Sequence, residues 1–201
     1  GNPDVTWETA TKQNYGFDLR FFKDRLSVSA DIFYEDRKNI LVSNSTSIAG
    51  ISALKPSKVN FGRVKNHGYE ILLKWSDRQG QVNYSISPSI SYARNKVVEM
   101  AEVPKAFDYM YHTGLPVGQP FGYDFFEFYV PGETEERYKA AFGTDMPDQN
   151  YTLRPGDSVF IDLNGDGKVD DNDQHAIGYS DIPEFTGSLN ATLNWKGLDF
   201  S

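Results

Sequence analysis

Strict alternation of apolar and polar residues is the clearest pattern in the chain. From Tyr15 to Phe21 the odd-numbered positions are apolar, and from Leu26 to Tyr34 the apolar positions are even-numbered. A period of two is typical of a β-strand whose two faces meet different surroundings, and the short polar turn between these stretches makes them a hairpin. The same pattern predicts a second hairpin and a strand near the end of the chain. The predicted strands lie near 14–22, 26–36, 67–76, 82–94, 121–130 and 185–195.

Long polar stretches separate these hairpins, at 37–66, 95–120 and 131–184. Loops of such length are uncommon in compact domains and are often functional. Within 131–184 we predict a short helix from Thr134 to Phe142. Acidic side chains lie at its start and Lys139 lies near its end, as the helix dipole prefers.

Two architectures accommodate strands of this kind. In a soluble sandwich the apolar face points to a core, whereas in a membrane β-barrel it points outward to lipid. A strand of ten residues spans about 34 Å, or roughly 24 Å along the membrane normal when tilted near 45°, which matches the lipid-facing band of a barrel. Aromatic residues at the strand ends, together with short turns at one end and long loops at the other, favour the barrel and leave the sandwich open.

Composition narrows the function classes. The chain has 201 residues, 39% of them hydrophobic and 14% aromatic, and no Cys, which excludes thiolate catalysis and disulfide frameworks. Its net charge is −8 and it has no basic stripe, so nucleic acid is not an expected partner. The acidity is local, because residues 157–173 hold six Asp and a single Lys.

The acidic stretch has the spacing of a calcium-binding loop. Side-chain oxygens recur at positions 1, 3, 5, 9 and 12, Gly167 at position 6 permits a sharp turn, and a backbone carbonyl is available at position 7. Hard oxygen ligands suit Ca²⁺ better than zinc or copper. We therefore predict a structural Ca²⁺ site. Its candidate ligands are Asp162, Asn164, Asp166, Lys168 (through its carbonyl), Asp170 and Asp173.

Two features of this stretch depart from an EF-hand. Position 12 is Asp rather than the longer Glu, and the flanking residues indicate extended chain rather than a pair of helices. The alternative interpretation is an acidic surface loop held by Asx-turns without a metal.

No catalytic residue is predicted. The three histidines, His67, His112 and His175, are far apart and lack ligand spacing, and the common hydrolase and nucleotide-binding motifs are absent from the sequence. Asp18 and Glu70 occupy polar strand positions, where hydrogen bonding is a simpler role than that of a glycosidase pair. Several aromatic residues between 107 and 129 suit either stacking on sugar rings or packing of the loops.

Four segments together resemble one family. They are the stretch 2–41, the N-x-G-x-x-x-N-x-G-x-E pattern of 60–70, the G-x-P-V-G…G-Y pattern of 114–123, and the P-G-D…D-x-N-G-D-G pattern of 155–167. In this order they resemble the late barrel region of SusC/RagA-like TonB-linked outer-membrane transporters.

The resemblance implies a piece of a longer importer in the outer membrane of a Gram-negative bacterium. It implies a SusD-like lipoprotein partner, energy supplied by TonB through an N-terminal part, and glycan or sometimes peptide cargo. The expected fold is all-β: antiparallel hairpins of a transmembrane barrel wall, a partial β-barrel domain over 1–201. The bare sheet edges and apolar face of such a piece predict self-association.

Two other functions remain possible from the sequence. The first is a soluble, calcium-stabilised β-sandwich that binds carbohydrate. The second is an enzyme that uses a carboxylate pair, for which no residue makes a specific case.

Overall fold

The computed structural model describes residues 3–43 and 58–201. The chain divides into two compact units. Unit 1 comprises Gly1–Ala101, Thr113–Val117 and Ile182–Ser201, and unit 2 comprises Glu102–His112 and Gly118–Asp181.

Unit 1 is built on one antiparallel sheet of six strands. In their order across the sheet they are β1 (Thr9–Phe21), β2 (Leu26–Ser43), β3 (Lys58–Gln79), β4 (Val82–Glu99), β9 (Phe185–Trp195) and β10 (Leu198–Phe200). Each of the first three strands pairs with the next along the chain, and β4 pairs with β9, which follows unit 2 in the sequence. The all-β, hairpin-based fold class is thereby confirmed.

Four strands extend well beyond their predicted bounds, and the first of them, β1, begins at Thr9 rather than near residue 14. The stretch 37–66 was expected to be a loop, yet β2 continues to Ser43 and β3 begins at Lys58. The reason is that ion pairs hold the strands there: Arg63 donates to both carboxylate oxygens of Asp36, at 2.9 and 2.6 Å. The pairing of β2 with β3 shifts register between Arg37 and Leu41, so the alternation is interrupted in the sequence while the backbone pairing continues. β4 similarly runs to Glu99, into the stretch 95–120 that was expected to be a loop.

Unit 2 contains short elements. Its strands are β5 (Phe121–Gly122), β6 (Phe125–Phe128), β7 (Ser158–Phe160) and β8 (His175–Ala176), and its helix is α1 (Glu133–Phe142). β5 pairs with β8 and β6 pairs with β7. The helix begins one residue before its predicted start and ends at Phe142 as expected, followed by Gly143 in the left-handed region at φ 75°. In residues 3–43 and 58–201 there is no helix long and apolar enough to cross a membrane.

The strand predicted over 121–130 requires correction. The segment forms two short strands in two different sheets of unit 2, interrupted at Tyr123 and Asp124, and neither belongs to the six-stranded sheet. Its aromatic residues pack within unit 2: Phe126 lies 5.2 Å, ring to ring, from Tyr138 and 5.5 Å from Phe142. Aromatic residues of this segment therefore pack in a small core of unit 2.

The centre of unit 2 is ordered by a few buried side chains. Tyr138 is only 2% exposed and Val159 is fully buried. Gln149 is also buried, and its amide oxygen accepts from the backbone N–H of Phe160 at 2.8 Å while its amide nitrogen donates to the carbonyl of the same residue at 3.1 Å. This side chain therefore holds the edge of β7 as another strand would.

Candidate functional site

One face of the six-stranded sheet is apolar and uncovered. A row of directly paired residues crosses five strands, and its rings contact one another: Tyr69 and Tyr92 lie 5.5 Å apart, and Tyr92 and Phe185 lie 4.6 Å apart. The side chains of this face are exposed, with Leu189 at 70% and Leu19 at 45%. The row consists of Tyr15, Ile32, Tyr69, Tyr92 and Phe185.

A second group of aromatic residues lies at the opposite end of the same face. Phe22 lies 6.1 Å from Trp75, and Trp195 has the ammonium of Lys196 5.3 Å from its ring centre. From Phe185 to Trp195 the strand rises about 34 Å, or roughly 24 Å along the normal at a tilt near 45°. An apolar band of this height between two aromatic borders matches the lipid-facing surface of a membrane barrel.

The other face of the sheet is polar and contains a concavity of about 510 Å³. Five of its lining residues carry hydroxyl groups, and two of these groups bond across strands, Ser89 to Ser188 at 2.7 Å. Asp31 and Glu70 lie side by side in it as a cross-strand pair. The residues that line this polar concavity are Ser29, Asp31, Glu70, Ile71, Leu72, Ser89, Ile90, Ser91, Thr186, Gly187 and Ser188.

The strand register shows that Asp18 and Glu70, the two carboxylates at polar strand positions, are not paired with each other. Glu70 lies opposite Asp31, whereas Asp18 lies opposite Ser29, one row away on the same face. The sequence alone did not show that Asp31 lies beside Glu70. A glycine within a strand can mark a close approach, and Gly16 lies opposite Asp31, where a Cβ would collide with the Asp31 carboxylate.

In unit 2, residues 162–173 form the acidic loop, whose carboxylates bind its own backbone. The two oxygens of Asp162 accept from the N–H groups of Gly165 at 2.6 Å and Gly167 at 2.7 Å. Both glycines have positive φ, 77° and 90°, a conformation that other residues rarely adopt. The predicted turn at Gly167 is therefore present.

Asp173 anchors the loop. It is 1% exposed, and one carboxylate oxygen accepts from the N–H groups of Leu163 at 2.9 Å and Asn164 at 3.2 Å. Its other oxygen accepts from the N–H of Asp170 at 2.8 Å. One side chain thus joins the two ends of the loop.

The remaining predicted ligands are spread along the same loop. Asn164 accepts from the N–H of Asp166, and Asp166 accepts from that of Lys168. Asp170 pairs with the Lys168 ammonium at 2.6 Å and accepts from the N–H of Asn172, and these contacts lower the pKa of Asp170. The oxygens are of the type that Ca²⁺ prefers. Across the described ranges, however, no three Asp, Glu or His side chains are arranged to hold a metal ion, and calcium binding stays a prediction.

The histidines have structural surroundings. The Nδ1 of His112 lies within hydrogen-bonding distance of the Glu102 carboxylate, at 3.1 Å, and its ring stacks on that of Phe121 with 4.1 Å between the ring centres. The Nε2 of His175 lies 3.4 Å from the Asp124 carboxylate. His67 lies edge-on to Tyr92 in unit 1. None of the three belongs to a metal cluster within the described part of the chain.

A hydrogen bond at the start of α1 gives unit 2 a pH dependence. The Tyr129 hydroxyl donates to Glu135 at 2.7 Å, and this bond, together with backbone N–H groups of the first helical turn, lowers the pKa of Glu135. A lowered carboxyl pKa contributes stability that is complete above the ordinary value of about 4.3 and is lost as pH falls through the folded-state value.

We therefore expect hydrogen-exchange protection of the first turn of α1 to be constant near neutral pH and to decrease below about pH 4. Tyr129→Phe should reduce that protection at neutral pH and flatten its acid dependence, because the hydrogen bond that favours the ionised Glu135 is lost. Tyr179→Phe, at a largely exposed tyrosine, is the control. An acid profile unchanged by Tyr129→Phe would contradict this assignment.

An extended antiparallel sheet with one exposed apolar face, bordered by aromatic residues and opposed by a hydroxyl-rich face, is the wall of a membrane β-barrel. The comparisons agree with this class. The family model described as TonB dependent receptor-like, beta-barrel, matches residues 1–201. The chain therefore belongs to the TonB dependent receptor-like β-barrel family.

Relatives carry the same assignment. The chain is 28% identical over 234 residues to the TonB-dependent receptor P39 of Formosa agariphila, covering 100% of this chain and 22% of that protein. It is 23% identical over 211 residues to the TonB-dependent receptor SusC of Bacteroides thetaiotaomicron, covering 100% of this chain and 19% of that protein. The chain thus spans about a fifth of the length of these relatives.

Solved structures share the fold. The RagAB peptide importer in its closed-closed state superposes with a TM-score of 0.68 at 21% identity, over 99% of this chain and 21% of that one. In its open-open state the TM-score is 0.65 at 19% identity.

These findings confirm the SusC/RagA-like resemblance and the outer-membrane location. The family is one of receptors, so the carboxylate-pair enzyme is not supported. The sandwich interpretation is wrong, because among the described residues of unit 1 no second sheet covers the apolar face.

Proposed function

We propose that the chain forms part of the wall of an outer-membrane importer for glycans. The observation that carries this proposal is the polar concavity, where serine and threonine hydroxyls surround the cross-strand carboxylates of Asp31 and Glu70. Hydroxyls and carboxylates are the groups that exchange hydrogen bonds with sugar hydroxyls, and a bond to a charged group contributes about 1.5–3 kcal/mol. In a barrel this face would line the interior.

Uptake by the full-length protein tests the proposal. In cells that depend on it for growth on a glycan, Asp31→Asn combined with Glu70→Gln should lower the uptake rate about tenfold at limiting glycan. That is the effect of losing one charge-assisted hydrogen bond, because 1.4 kcal/mol corresponds to a factor of ten. The control removes two exposed carboxylates elsewhere, by Asp24→Asn and Glu136→Gln.

Three outcomes would contradict the proposal. They are equal uptake by the two double variants, an unchanged rate in the Asp31/Glu70 variant, and uptake of peptides with no glycan uptake. The last result would identify a peptide importer with the same wall.

We also propose that a SusD-like lipoprotein delivers the cargo and that TonB energises its import. Both partners would act through the longer protein, and co-purification of a lipoprotein with the full-length protein from membranes would support the first. Self-association of the separate 201-residue piece, through its uncovered apolar face, remains a prediction.

The calcium site in the acidic loop is a further proposal, supported by the side-chain oxygens at alternate positions and by Gly167 at its turn. Isothermal titration of the full-length protein should show one Ca²⁺ site that Asp166→Ala removes, while Asp181→Ala, at an exposed carboxylate outside the loop, retains it. No heat of binding after chelator treatment would refute the site.

A further inference from the structure

We propose that the lipid-facing side of unit 1 binds the phosphate of a lipid headgroup, through Lys65 on β3 and Lys96 on β4. The two lysines are directly opposite each other in the β3–β4 register. Their Cβ atoms should therefore be about 5 Å apart, which places both ammonium groups within reach of one phosphate. The proposal concerns the outside of the wall and does not depend on the cargo.

The position of the pair relative to the aromatic row carries the first part of the argument. Lys65 is four residues from Tyr69, and Lys96 is four residues from Tyr92, so both share the face of that row. Four residues rise about 13 Å along a strand, or roughly 9 Å along the normal at a 45° tilt. A lysine at that height lies at the level of the headgroups, and its stem can extend along the sheet.

The charges around the pair carry the second part. Like charges directly opposite on neighbouring strands destabilise a sheet unless a counter-charge is present. The nearest carboxylate in the register is Asp36, opposite Lys65, but Arg63 occupies both of its oxygens and the Lys38 ammonium lies 3.7 Å away. Neither Lys65 nor Lys96 has an ion-pair partner in ranges 3–43 and 58–201.

The other charges on this end of the face are already matched. Arg94, next to Lys96 on the same side of β4, pairs with Glu184 at 3.3 Å, and Glu99 lies 3.6 Å from Arg63. Among the described residues at this end, Lys65 and Lys96 therefore remain without an ion-pair contact, although Asp36 attracts Lys65 through space, and they lie on a surface that borders the bilayer. A phosphate group supplies the missing negative charge and several strong acceptor oxygens.

A lipid is the favoured source of this phosphate because of where the pair lies. The short turns, between β1 and β2 and between β3 and β4, are at the far end of the sheet, and the long connections are at the lysine end. In outer-membrane barrels the long loops are extracellular, so the lysine end borders the outer leaflet.

Native mass spectrometry of the full-length protein in mixed micelles tests the proposal, with phosphatidic acid as the phosphate-bearing probe and phosphatidylcholine as the reference lipid. Lys65→Gln combined with Lys96→Gln should weaken phosphatidic acid binding about 25-fold, since each lysine near an anionic lipid contributes about fivefold. Phosphatidylcholine binding should not change.

The matched control removes two lysines of unit 1 that lie away from this pair, by Lys23→Gln in the β1–β2 turn and Lys74→Gln on the polar face. It should change phosphatidic acid binding by less than twofold. Equal weakening in both double variants would overturn the proposal, as would equal binding of the two lipids by the unaltered protein. Complete displacement of phosphatidic acid by an equal concentration of inorganic phosphate would also overturn it, because the site would then bind a soluble anion.

Discussion

Replacing Asp173 by Ala is expected to open the acidic loop. The carboxylate, 1% exposed, accepts from three backbone N–H groups, those of Leu163, Asn164 and Asp170, and its removal leaves these part-buried donors without that partner. The loss of one such hydrogen bond costs about 1 kcal/mol, so a total loss of about 3 kcal/mol in the free energy of local opening is expected.

Hydrogen exchange of these three amides in the full-length protein measures the effect directly. A loss of about 3 kcal/mol corresponds to exchange faster by roughly a hundredfold. Asp171→Ala is the matched control, because it removes an exposed carboxylate two residues away that, among the described residues, accepts from the Gln174 side chain, at 3.3 Å, and from no backbone N–H of the loop. Similar exchange rates in the two variants would show that Asp173 does not anchor the loop.

Much of the sheet follows from local sequence because the membrane imposes a simple rule. Between Tyr15 and Phe21, and again along β9, one face meets an apolar medium and the other a polar one, so every second residue has to be apolar. The hairpin turns were predictable for the same reason, since the alternation shifts by one position on either side of residues 22–25. Where the two faces of a strand meet different media, the alternation of apolar and polar residues makes the strand predictable from the sequence.

The parts of the sheet outside this band could not be predicted from alternation. Asp36 and Arg63 join the end of β2 to the beginning of β3. These residues are 27 positions apart in the sequence, and a contact between residues so far apart produces no periodic pattern. Phe33 shows another limit: it lies at a position of the polar face, where its ring covers Gly68 on the neighbouring strand. Its presence depends on a contact that becomes visible only with the register.

Unit 2 was predicted less well for a related reason. Its small core depends on contacts between segments, such as that of the Tyr138 hydroxyl with the backbone N–H of Asp162, at 3.3 Å. The helix was recognisable from its own charges and its end at Gly143, whereas the division of 121–130 into two strands was set by the partners β8 and β7. Asp173 was predicted as a metal ligand from spacing, and its hydrogen bonds to the start of the loop were not.

Introducing a charge at Leu189 is expected to have a large effect on folding into the membrane. This side chain is 70% exposed on the apolar face, four residues from Phe185 and six from Trp195, so it lies near the middle of the lipid-facing band. A lysine near the midplane of a barrel's lipid face costs about 2–4 kcal/mol, because its ammonium group has to leave water.

Asn190→Lys is the matched control for Leu189→Lys, since it places the same side chain one residue further along β9, on the opposite face. Successive residues of a strand point to opposite sides, so the lysine at position 190 should face the polar interior and change the folding free energy by less than about 1 kcal/mol. Guanidinium titration of the full-length protein in lipid vesicles measures both variants. Equal costs would contradict the placement of hydrocarbon on the Leu189 side, whereas a cost confined to Leu189→Lys would follow from a wall with lipid on one face and water on the other.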